Sequence, residues 1–296
     1  MQQPTLLYFE DEEALAQQLA LVSGMPLQCI ERHTFPDGET RLRLPTDLPE
    51  RVVVLRSLHS PNTRIMDLLL AAPTARELGA RHLTLVSPYL AYMRQDMAFR
   101  PGEAVSQRLV GRWLAELFEA VITIDPHLHR VHRLQDAVPA DQALALSAAP
   151  LLAERVFREQ ADALLIGPDG ESAQWIEQAA RAHGFDHGVC HKTRHGDKDV
   201  AIQLPDVPVR GRCVVLLDDI ASSGRTLVQA SRLLLEAGAR SVDVAVTHAL
   251  FAGDAEQVIR SAGVRHIWST DSVAHSSNVV SVAPLIAQGL QELARC

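Results

Sequence analysis

The sequence has few aromatic residues and few cysteines. Phe, Trp and Tyr together make up 4% of its 296 residues, so a hydrophobic core must consist mainly of Leu, Val, Ile and Ala. The four cysteines are Cys29, Cys190, Cys213 and Cys296. They are far apart and show no CxxC or Cys/His zinc spacing. This pattern argues against a zinc site or a disulfide framework and is typical of thiols in a reducing cytosol.

The sequence also shows no recognisable targeting segment and no segment that is long and apolar enough to span a membrane. The first residues, MQQPTLLYFEDEEALAQ, lack the basic region and the apolar region of a signal peptide. Apolar runs stay well short of the roughly 20 residues that a membrane-spanning helix needs. We therefore expect a cytoplasmic protein without a membrane partner.

The chain has no surplus of positive charge. Its formal net charge is −8, and charged residues make up 22% of the sequence. Non-specific nucleic-acid binding needs a basic surface, so nucleic acid is not an expected partner. A phosphate ligand is still compatible with this charge, because a local loop can bind an anion within an acidic protein.

The length predicts two domains of roughly 150 residues each. Short β-branched runs alternate with longer amphipathic segments, and this alternation predicts an α/β fold in which helices flank mainly parallel sheets. Three helices are predicted, at 62–78, from the Ser106 cap through Leu117, and from about Arg225 to Ala237. The predicted strands are 52–55, 83–86, 121–124, 163–166, 214–217 and 242–246.

A short repeated motif suggests that the two halves are similar. Gly79-Ala80-Arg81 and Gly238-Ala239-Arg240 each follow an apolar helix and precede a strand. We place the domain boundary in the Ala-rich stretch between Pro139 and Pro150. The predicted domains are 1–145 and 146–296, with the last helix as a candidate for packing back against the first domain.

The strongest site signal is the segment VVLLDDIASSGRT at 214–226. A strand predicted to end at Asp218 and Asp219 places two carboxylates where they could accept hydrogen bonds from adjacent sugar hydroxyls. The following loop opens a helix whose first backbone N–H groups suit a phosphate monoester. The side chains and backbone expected to complete this phosphate site belong to Ser223, Gly224 and Thr226.

This segment resembles the phosphoribosyl-binding loop shared by phosphoribosyltransferases and the diphosphokinases that make their substrate. A P-loop kinase is disfavoured, because the chain has no GxxxxGK[ST] motif. Further segments, in the same order along the chain, resemble the ribose-phosphate diphosphokinase family. They are FPDGE at 35–39, PYLAYMRQD at 88–96, DPH at 125–127, GPD at 167–169, KTR at 192–194, THALFAG at 247–253 and SVAPLI at 281–286.

The resemblance implies two phosphoribosyltransferase-like domains and a role for each matching residue. Adenine would be held by Phe35, Asp37 and Glu39, reaching into a neighbouring subunit's site. The nucleotide and its phosphates would contact Arg94, Gln95 and Asp96. Mg²⁺ would be held directly or through water by His127 and Asp169. The transferred group would be covered by Lys192 and Arg194. Ribose 5-phosphate would be bound by Asp218, Asp219, Ser222, Ser223, Gly224 and Thr226.

The implied reaction moves the diphosphoryl group of Mg-ATP to ribose 5-phosphate, giving 5-phosphoribosyl 1-diphosphate and AMP. Such chemistry needs positioning and charge neutralisation more than covalent help. The resemblance also implies a homo-oligomer in which dimers build hexamers.

Four positions depart from the family's pattern. Ser222 stands where the family usually has a third Asp, Arg225 and Glu171 stand where it usually has Gly, and Met97 stands where it usually has Arg. Ser222, Arg225 and Glu171 support one alternative, a catalytically silent regulatory homologue. A second alternative is a phosphoribosyltransferase, which would usually need only one such domain with a hood for the base.

Overall fold

The computed structural model describes residues 3–195 and 199–295, without the side chains of residues 192–195 and 199–201. The chain divides into two compact units. Unit 1 comprises Met1–Leu146 and Ser281–Cys296, and unit 2 comprises Ser147–Val280. The C-terminal residues therefore belong to the same unit as the N-terminal ones.

The elements alternate along the chain. The strands are β1 (Thr5–Phe9), β2 (Leu27–Thr34), β3 (Thr40–Arg43), β4 (Arg51–Leu55), β5 (His82–Ser87), β6 (Ala120–Ile124), β7 (Gln142–Leu146), β8 (Leu164–Gly167), β9 (His187–Val189), β10 (His191–His195), β11 (Asp199–Gln203), β12 (Cys213–Ala221), β13 (Ser241–Ala249), β14 (Val264–Thr270) and β15 (Asn278–Val280). The helices are α1 (Glu13–Ser23), α2 (Pro61–Glu77), α3 (Ser106–Leu117), α4 (Leu134–Ala137), α5 (Ala149–Glu159), α6 (Ala173–His183), α7 (Arg225–Glu236), α8 (Ala255–Ser261) and α9 (Ala283–Leu293).

Unit 1 is built on a seven-stranded sheet in the order β3-β2-β1-β4-β5-β6-β7. Its strands are parallel except for β3, which pairs antiparallel with β2. From β1 the chain moves outward to β2 and β3, then returns to β4 on the other side of β1. The strand order therefore reverses between β1 and β4, which is where open α/β sheets usually bind ligands.

Unit 2 repeats this plan with a six-stranded parallel sheet in the order β15-β14-β13-β12-β8-β9. A separate antiparallel pair is formed by β10 and β11. Here the strand order reverses between β8 and β12. The predicted fold class, two α/β domains with mainly parallel sheets flanked by helices, is confirmed.

Central strands of both sheets are covered on both faces, so they are apolar without alternation. Val52 to Leu55 in β4 are all at most 4% exposed, and Val214 to Leu217 in β12 are at most 1% exposed. Helices cover each sheet with one apolar side, as in α7, where Leu227, Ala230 and Leu234 are buried. Among the described helices, none is both long enough and apolar enough to cross a bilayer.

The repeated Gly-Ala-Arg motif occupies the same place in the two units. Gly79 lies two residues after the end of α2 with φ +109°, and Gly238 lies two residues after the end of α7 with φ +92°. Glycine suits both positions because other residues rarely adopt such angles. The Arg81 N–H donates to the Glu50 carbonyl at 2.8 Å, and the Arg240 N–H donates to the Arg212 carbonyl at 2.8 Å. The motif thus marks two equivalent helix-to-strand turns.

One predicted element ends elsewhere. We expected the strand at 214–217 to stop at Asp218 and Asp219, whereas β12 continues to Ala221. The prediction was wrong because Ile220 and Ala221 keep pairing with His248 and Ala249 of β13. Both carboxylates therefore project from the sheet itself, and the loop that follows β12 comprises Ser222, Ser223 and Gly224.

Candidate active site

Three carboxylates meet at the switch point of unit 2. Asp169 follows the end of β8, and Asp218 and Asp219 lie near the end of the adjacent strand β12. Asp219 is 3% exposed, and its backbone N–H donates to the Asp218 Oδ1 at 3.1 Å. Because parallel strands end at the same edge of a sheet, these side chains share one cluster.

The turn after β8 is tightly fitted around Asp169. The Asp169 Oδ1 accepts a hydrogen bond from the Glu171 N–H at 3.1 Å, which fixes the carboxylate at the start of a short helical turn. The Ser172 hydroxyl donates to the Asp169 carbonyl at 2.6 Å. A Cβ at Gly167 would lie 2.1 Å from the Ser172 Oγ, so only glycine allows this close turn.

The carboxylates of this cluster lie close enough together for their negative charges to repel one another. Burial, followed by the negative charges of Asp219 and Asp169, raises the pKa of Asp218 well above its ordinary value. Burial and the charge of Asp169 also raise the pKa of the Cys190 thiol to about 12. Carboxylates placed this close disfavour one another's ionisation, so the cluster is suited to a positively charged or hydrogen-bond-donating ligand.

The loop after β12 has the backbone of an anion-binding turn. Gly224 has φ +70° and precedes the first residue of the 12-residue helix α7. A Cβ at Gly224 would lie 2.8 Å from the Ile259 Cδ1, so a side chain fits neither the backbone angle nor the space. Ser223 is exposed, and Ser222 and Thr226 are half-buried. The start of α7 therefore presents N–H groups and hydroxyls together.

The predicted cationic residues of unit 2 lie in the hairpin of β10 and β11. Lys192 and Arg194 occupy β10, opposite Ile202 and Val200 of β11. Their side chains lie outside the described residues.

The predicted adenine residues of unit 1 lie in the turn between β2 and β3. The Phe35 N–H donates to the Glu39 carbonyl at 2.8 Å, and the Asp37 Oδ1 accepts from the Glu39 N–H at 3.1 Å. Gly38 completes the turn with φ +93°. The Phe35 ring is 39% exposed and packs edge-on against His33. This turn thus displays an aromatic ring and two carboxylates to solvent.

The Arg94-Gln95-Asp96 segment follows β5 and connects to the loop after β6. The Asp96 side chain is 1% exposed, and its two oxygens accept from the Arg130 guanidinium at 2.7 Å and the Arg130 N–H at 3.2 Å. Gln95 accepts from the Ser106 hydroxyl at 3.3 Å, whereas Arg94 is exposed. Asp96 therefore fixes the position of the neighbouring loop.

That neighbouring loop contains the predicted metal-proximal histidine. It begins at Asp125, which has φ +37° although it is not glycine. The rings of His127 and His129 pack edge to face with centroids 4.3 Å apart. Asp96 and Arg130 thus support a loop that carries two imidazoles.

A buried ion-pair network occupies the switch point of unit 1, and sequence reasoning did not identify it. Arg56 follows β4, is 0% exposed, and lies over the Phe9 ring with its guanidinium carbon 4.2 Å from the centroid. Its guanidinium donates to the Asp11 carboxylate at 2.6 Å and also to that of Asp67, which is 0% exposed. The only feature of the sequence that points to this network is an arginine, Arg56, directly after an apolar strand.

Other members of this network complete the pairing. Arg64 donates to Asp11 at 2.6 Å and to Glu12 at 3.1 Å, while Arg32 approaches Asp67 at 3.4 Å. Although burial acts in the opposite direction, the charges of Arg56 and Arg64 lower the pKa of Asp11. At Glu12 burial outweighs the same two arginines and raises the pKa to about 7. Three arginines, Arg32, Arg56 and Arg64, therefore pair with three acids, Asp11, Glu12 and Asp67, at the switch point of the unit 1 sheet.

Comparison with known proteins identifies the relatives of this chain. Residues 5–118 match the N-terminal domain of ribose phosphate pyrophosphokinase, and residues 135–278 match the phosphoribosyl transferase domain. The ribose-phosphate pyrophosphokinase of Methanopyrus kandleri is 34% identical over 280 residues, which are 94% of this chain and 96% of the relative. The chain belongs to the ribose-phosphate pyrophosphokinase family. The expectation of an enzyme of this family is thereby confirmed.

Further relatives of this pyrophosphokinase agree along nearly the whole chain. Ribose-phosphate pyrophosphokinase 1 of Archaeoglobus fulgidus is 36% identical over 93% of this chain and 96% of the relative. The solved phosphoribosylpyrophosphate synthetase of Mycobacterium smegmatis superimposes with a TM-score of 0.83 over 99% of both chains. Because it is 24% identical, that structure shows the shared two-domain fold alone.

Proposed function

We propose that this pyrophosphokinase transfers the diphosphoryl group of Mg-ATP to ribose 5-phosphate, giving 5-phosphoribosyl 1-diphosphate and AMP. The observation that carries the proposal is the crowded carboxylate cluster at the switch point of unit 2, followed directly by a glycine-turned loop that opens α7. A sugar phosphate offers both hydroxyl donors for the acids and an anion for the loop.

In unit 2 we assign ribose 5-phosphate to the end of β12 and the start of α7. The carboxylates of Asp218 and Asp219 accept hydrogen bonds from ribose hydroxyls. The 5-phosphate is bound by the backbone N–H groups of the loop and by its hydroxyls. The residues assigned to this phosphate are Ser222, Ser223, Gly224 and Thr226.

In unit 1 we assign the nucleotide to the two segments that the family resemblance identified. The exposed ring of Phe35 suits stacking on adenine, and Asp37 and Glu39 suit its amino group. Arg94 and Gln95 suit the nucleotide phosphates, because a guanidinium and an amide donate hydrogen bonds to anionic oxygens. Asp96 supports this segment through its bonds to Arg130.

The donor set of unit 2 fits a magnesium ion. Mg²⁺ prefers carboxylate oxygens and retains several waters, and burial together with the neighbouring carboxylates of Asp219 and Asp169 raises the pKa of Asp218. We assign Asp169 as a magnesium ligand of unit 2 and His127 as a metal-proximal residue of unit 1. A bound magnesium ion would neutralise charge on the phosphate oxygens.

The chain's own residues act mainly by positioning. The C1 hydroxyl oxygen of ribose 5-phosphate attacks the β-phosphorus of ATP. The new O–P bond forms as the bond between the β-phosphorus and the oxygen bridging to the α-phosphorus breaks. AMP leaves with that oxygen, and the hydroxyl proton passes to solvent. Lys192 and Arg194 are assigned to the negative charge that develops on the transferred group.

The proposal is tested by incubating the purified protein with ATP, Mg²⁺ and ribose 5-phosphate and measuring both products. AMP and phosphoribosyl diphosphate should form in equal amounts, and both should be lost in Lys192→Ala. Arg181→Ala is the control, since Arg181 is a surface residue of unit 2 whose side chain is 81% exposed. Absence of both products in the wild type with every nucleotide donor tried would contradict the proposal.

Arg225 supports a second candidate, a catalytically silent homologue. It is exposed at the first position of α7, where it adds a cation to the loop, while Ser222 supplies no carboxylate. A silent homologue would bind ribose 5-phosphate without forming AMP, so calorimetry and the product assay together separate the two candidates. A phosphoribosyltransferase would instead release diphosphate from phosphoribosyl diphosphate and a free base.

We also propose a homo-oligomer built from dimers and reaching a hexamer, in which the β2–β3 turn contributes to a neighbouring subunit's site. The exposure of Phe35 on that turn supports this assignment. Size-exclusion chromatography with light scattering should give six times the 32.4 kDa chain mass. A monomer that is fully active would contradict the shared site.

A further inference from the structure

We infer that residues 250–252, which follow β13, orient the ribose-phosphate loop and that Phe251 is the positioning residue that holds them in place. The inference rests on the proposed function, because it assigns a cause to the geometry of the loop that binds the 5-phosphate. Phe251 acts through backbone contacts and does not touch the substrate.

Three consecutive N–H groups of this segment are directed at the loop after β12. The N–H groups of Leu250 and Phe251 both donate to the Ala221 carbonyl, at 3.1 and 2.9 Å. The Ala252 N–H donates to the Ser222 carbonyl at 3.0 Å. The carbonyls of Ala221, the last residue of β12, and of Ser222, the first residue of the loop, are therefore held on the side that faces residues 250–252.

These hydrogen bonds set the direction of the N–H groups that are assigned to the phosphate. In a trans peptide the carbonyl and the N–H of the next residue point in opposite directions. Holding the Ala221 and Ser222 carbonyls towards residues 250–252 therefore turns the N–H groups of Ser222 and Ser223 away from them. Those N–H groups are the ones that the proposed function assigns to the 5-phosphate.

Phe251 makes the three contacts possible by adopting an uncommon backbone angle. Its φ is +29°, which a phenylalanine rarely adopts and which other packing must stabilise. The Phe251 ring packs against the His275 ring with centroids 4.8 Å apart. His275 is in turn held by the Ser277 hydroxyl at 2.8 Å and by Glu256 at 3.5 Å.

The helix after this segment supports the same loop. Its residue Ile259 is buried, and the Ile259 side chain fills the space where a Cβ of Gly224 would lie. Residues 250–252 thus contact one end of the phosphate loop and α8 contacts the other. This double contact fits a loop whose backbone must be fixed before an anion binds.

The test compares Phe251→Ala with wild type by calorimetry and steady-state kinetics. We expect the Kd and the KM for ribose 5-phosphate to rise about tenfold, while the KM for ATP stays within about threefold of wild type. Inhibition by inorganic phosphate should weaken in parallel, because phosphate alone probes the loop. Phe251→Tyr retains the ring and should restore wild-type affinity.

Phe157→Ala is the matched control. Phe157 is also an aromatic residue of unit 2, and its ring stacks on the His183 ring with centroids 4.6 Å apart. The Phe157→Ala substitution should leave the KM for ribose 5-phosphate and the KM for ATP unchanged. If Phe251→Ala does not fold, as judged by circular dichroism, His275→Ala removes the supporting ring instead and should raise the same Kd. Wild-type affinity for ribose 5-phosphate in the folded variant would overturn the inference while leaving the proposed function intact. Wild-type protein that does not bind ribose 5-phosphate would overturn both.

Discussion

At the switch point of unit 1, Arg56 and Arg64 lie within hydrogen-bonding distance of the carboxylates around them. At the switch point of unit 2, the charged groups that most affect Asp218 are the carboxylates of Asp219 and Asp169. The two places are equivalent in the fold, because each lies where the strand order of a mainly parallel sheet reverses. Their charges nevertheless shift carboxyl pKa values in opposite directions, down at Asp11 and up at Asp218.

We interpret the difference as a structural use of buried charge in unit 1 and a proposed ligand-binding use in unit 2. A buried carboxylate that is paired with arginine is already satisfied and holds its elements together. A crowded carboxylate cluster is costly in the empty protein and becomes favourable when a cation or a hydrogen-bond donor binds. We therefore expect the ligand site to be marked by the charges at a switch point rather than by fold position alone.

Removing an arginine from unit 1 should have the largest effect on stability. Arg56→Met leaves Asp67 buried without its main cation, so the free energy of unfolding should fall by about 3–5 kcal/mol. Denaturant unfolding measures this change. Arg43→Met is the matched control, because its pair with Glu31 lies in the same unit and is exposed by 76% and 65%, so it should cost less than about 1 kcal/mol. Equal losses in the two variants would contradict a special role for the buried network.

Adding a methyl group at Gly224, in the proposed phosphate loop of unit 2, should have the next largest effect on stability. Gly224→Ala must adopt φ +70° and displace Ile259, so it should cost about 1–3 kcal/mol and weaken ribose 5-phosphate binding as well. Gly238→Ala has a similar angle of +92° but meets only ordinary contacts with Arg210. Thermal unfolding should show a smaller loss in that control, and calorimetry should show unchanged binding. Unchanged binding in Gly224→Ala would argue against the assigned phosphate loop.

Neutralising an acid of unit 2 should change stability little and binding strongly. Asp218→Asn removes repulsion from Asp219 and Asp169, so the free energy of unfolding should stay within about 1 kcal/mol of wild type or rise. Binding of ribose 5-phosphate should fall, because an amide carbonyl is a weaker acceptor than a carboxylate. Marked destabilisation with retained binding would show that Asp218 is a structural acid.

Asp218 of unit 2 and Asp11 of unit 1 should also respond oppositely to pH. Because the pKa of Asp218 is raised in the folded protein, its contribution favours folding below the ordinary value of 3.8 and is lost as pH rises through the raised value. The pKa of Asp11 is lowered, so its contribution is present above 3.8 and is lost as pH falls through the lowered value. Unfolding curves of Asp218→Asn and Asp11→Asn, measured with EDTA across pH, should both diverge from wild type as pH rises, with Asp218→Asn the more stable and Asp11→Asn the less stable protein. Divergence in the same direction would contradict the comparison.

Sequence reasoning predicted most of the central strands and the alternation of elements, because apolar runs such as Val52 to Leu55 depend on burial on both faces. It also predicted the loop at Gly224, because the required residue types are adjacent in the chain. The end of β12 was misplaced, since pairing with β13 continues past two acids that would be expected to stop a strand.

Other features could not be predicted because they join distant parts of the chain. The Arg56 network depends on partners 11 and 45 residues away. The contact of residues 250–252 with Ala221 and Ser222 depends on the register of β12 and β13. Neither set of contacts corresponds to a short sequence motif from which its role could be predicted.

The most direct test is a calorimetric titration with ribose 5-phosphate of wild type, Asp218→Asn and Asp11→Asn. If crowded carboxylates mark the ligand site, Asp218→Asn should lose binding by about tenfold or more, while Asp11→Asn should bind as wild type does despite lower stability. Wild-type affinity in Asp218→Asn, together with lost affinity in Asp11→Asn, would contradict the account and assign the sugar phosphate to the switch point of unit 1.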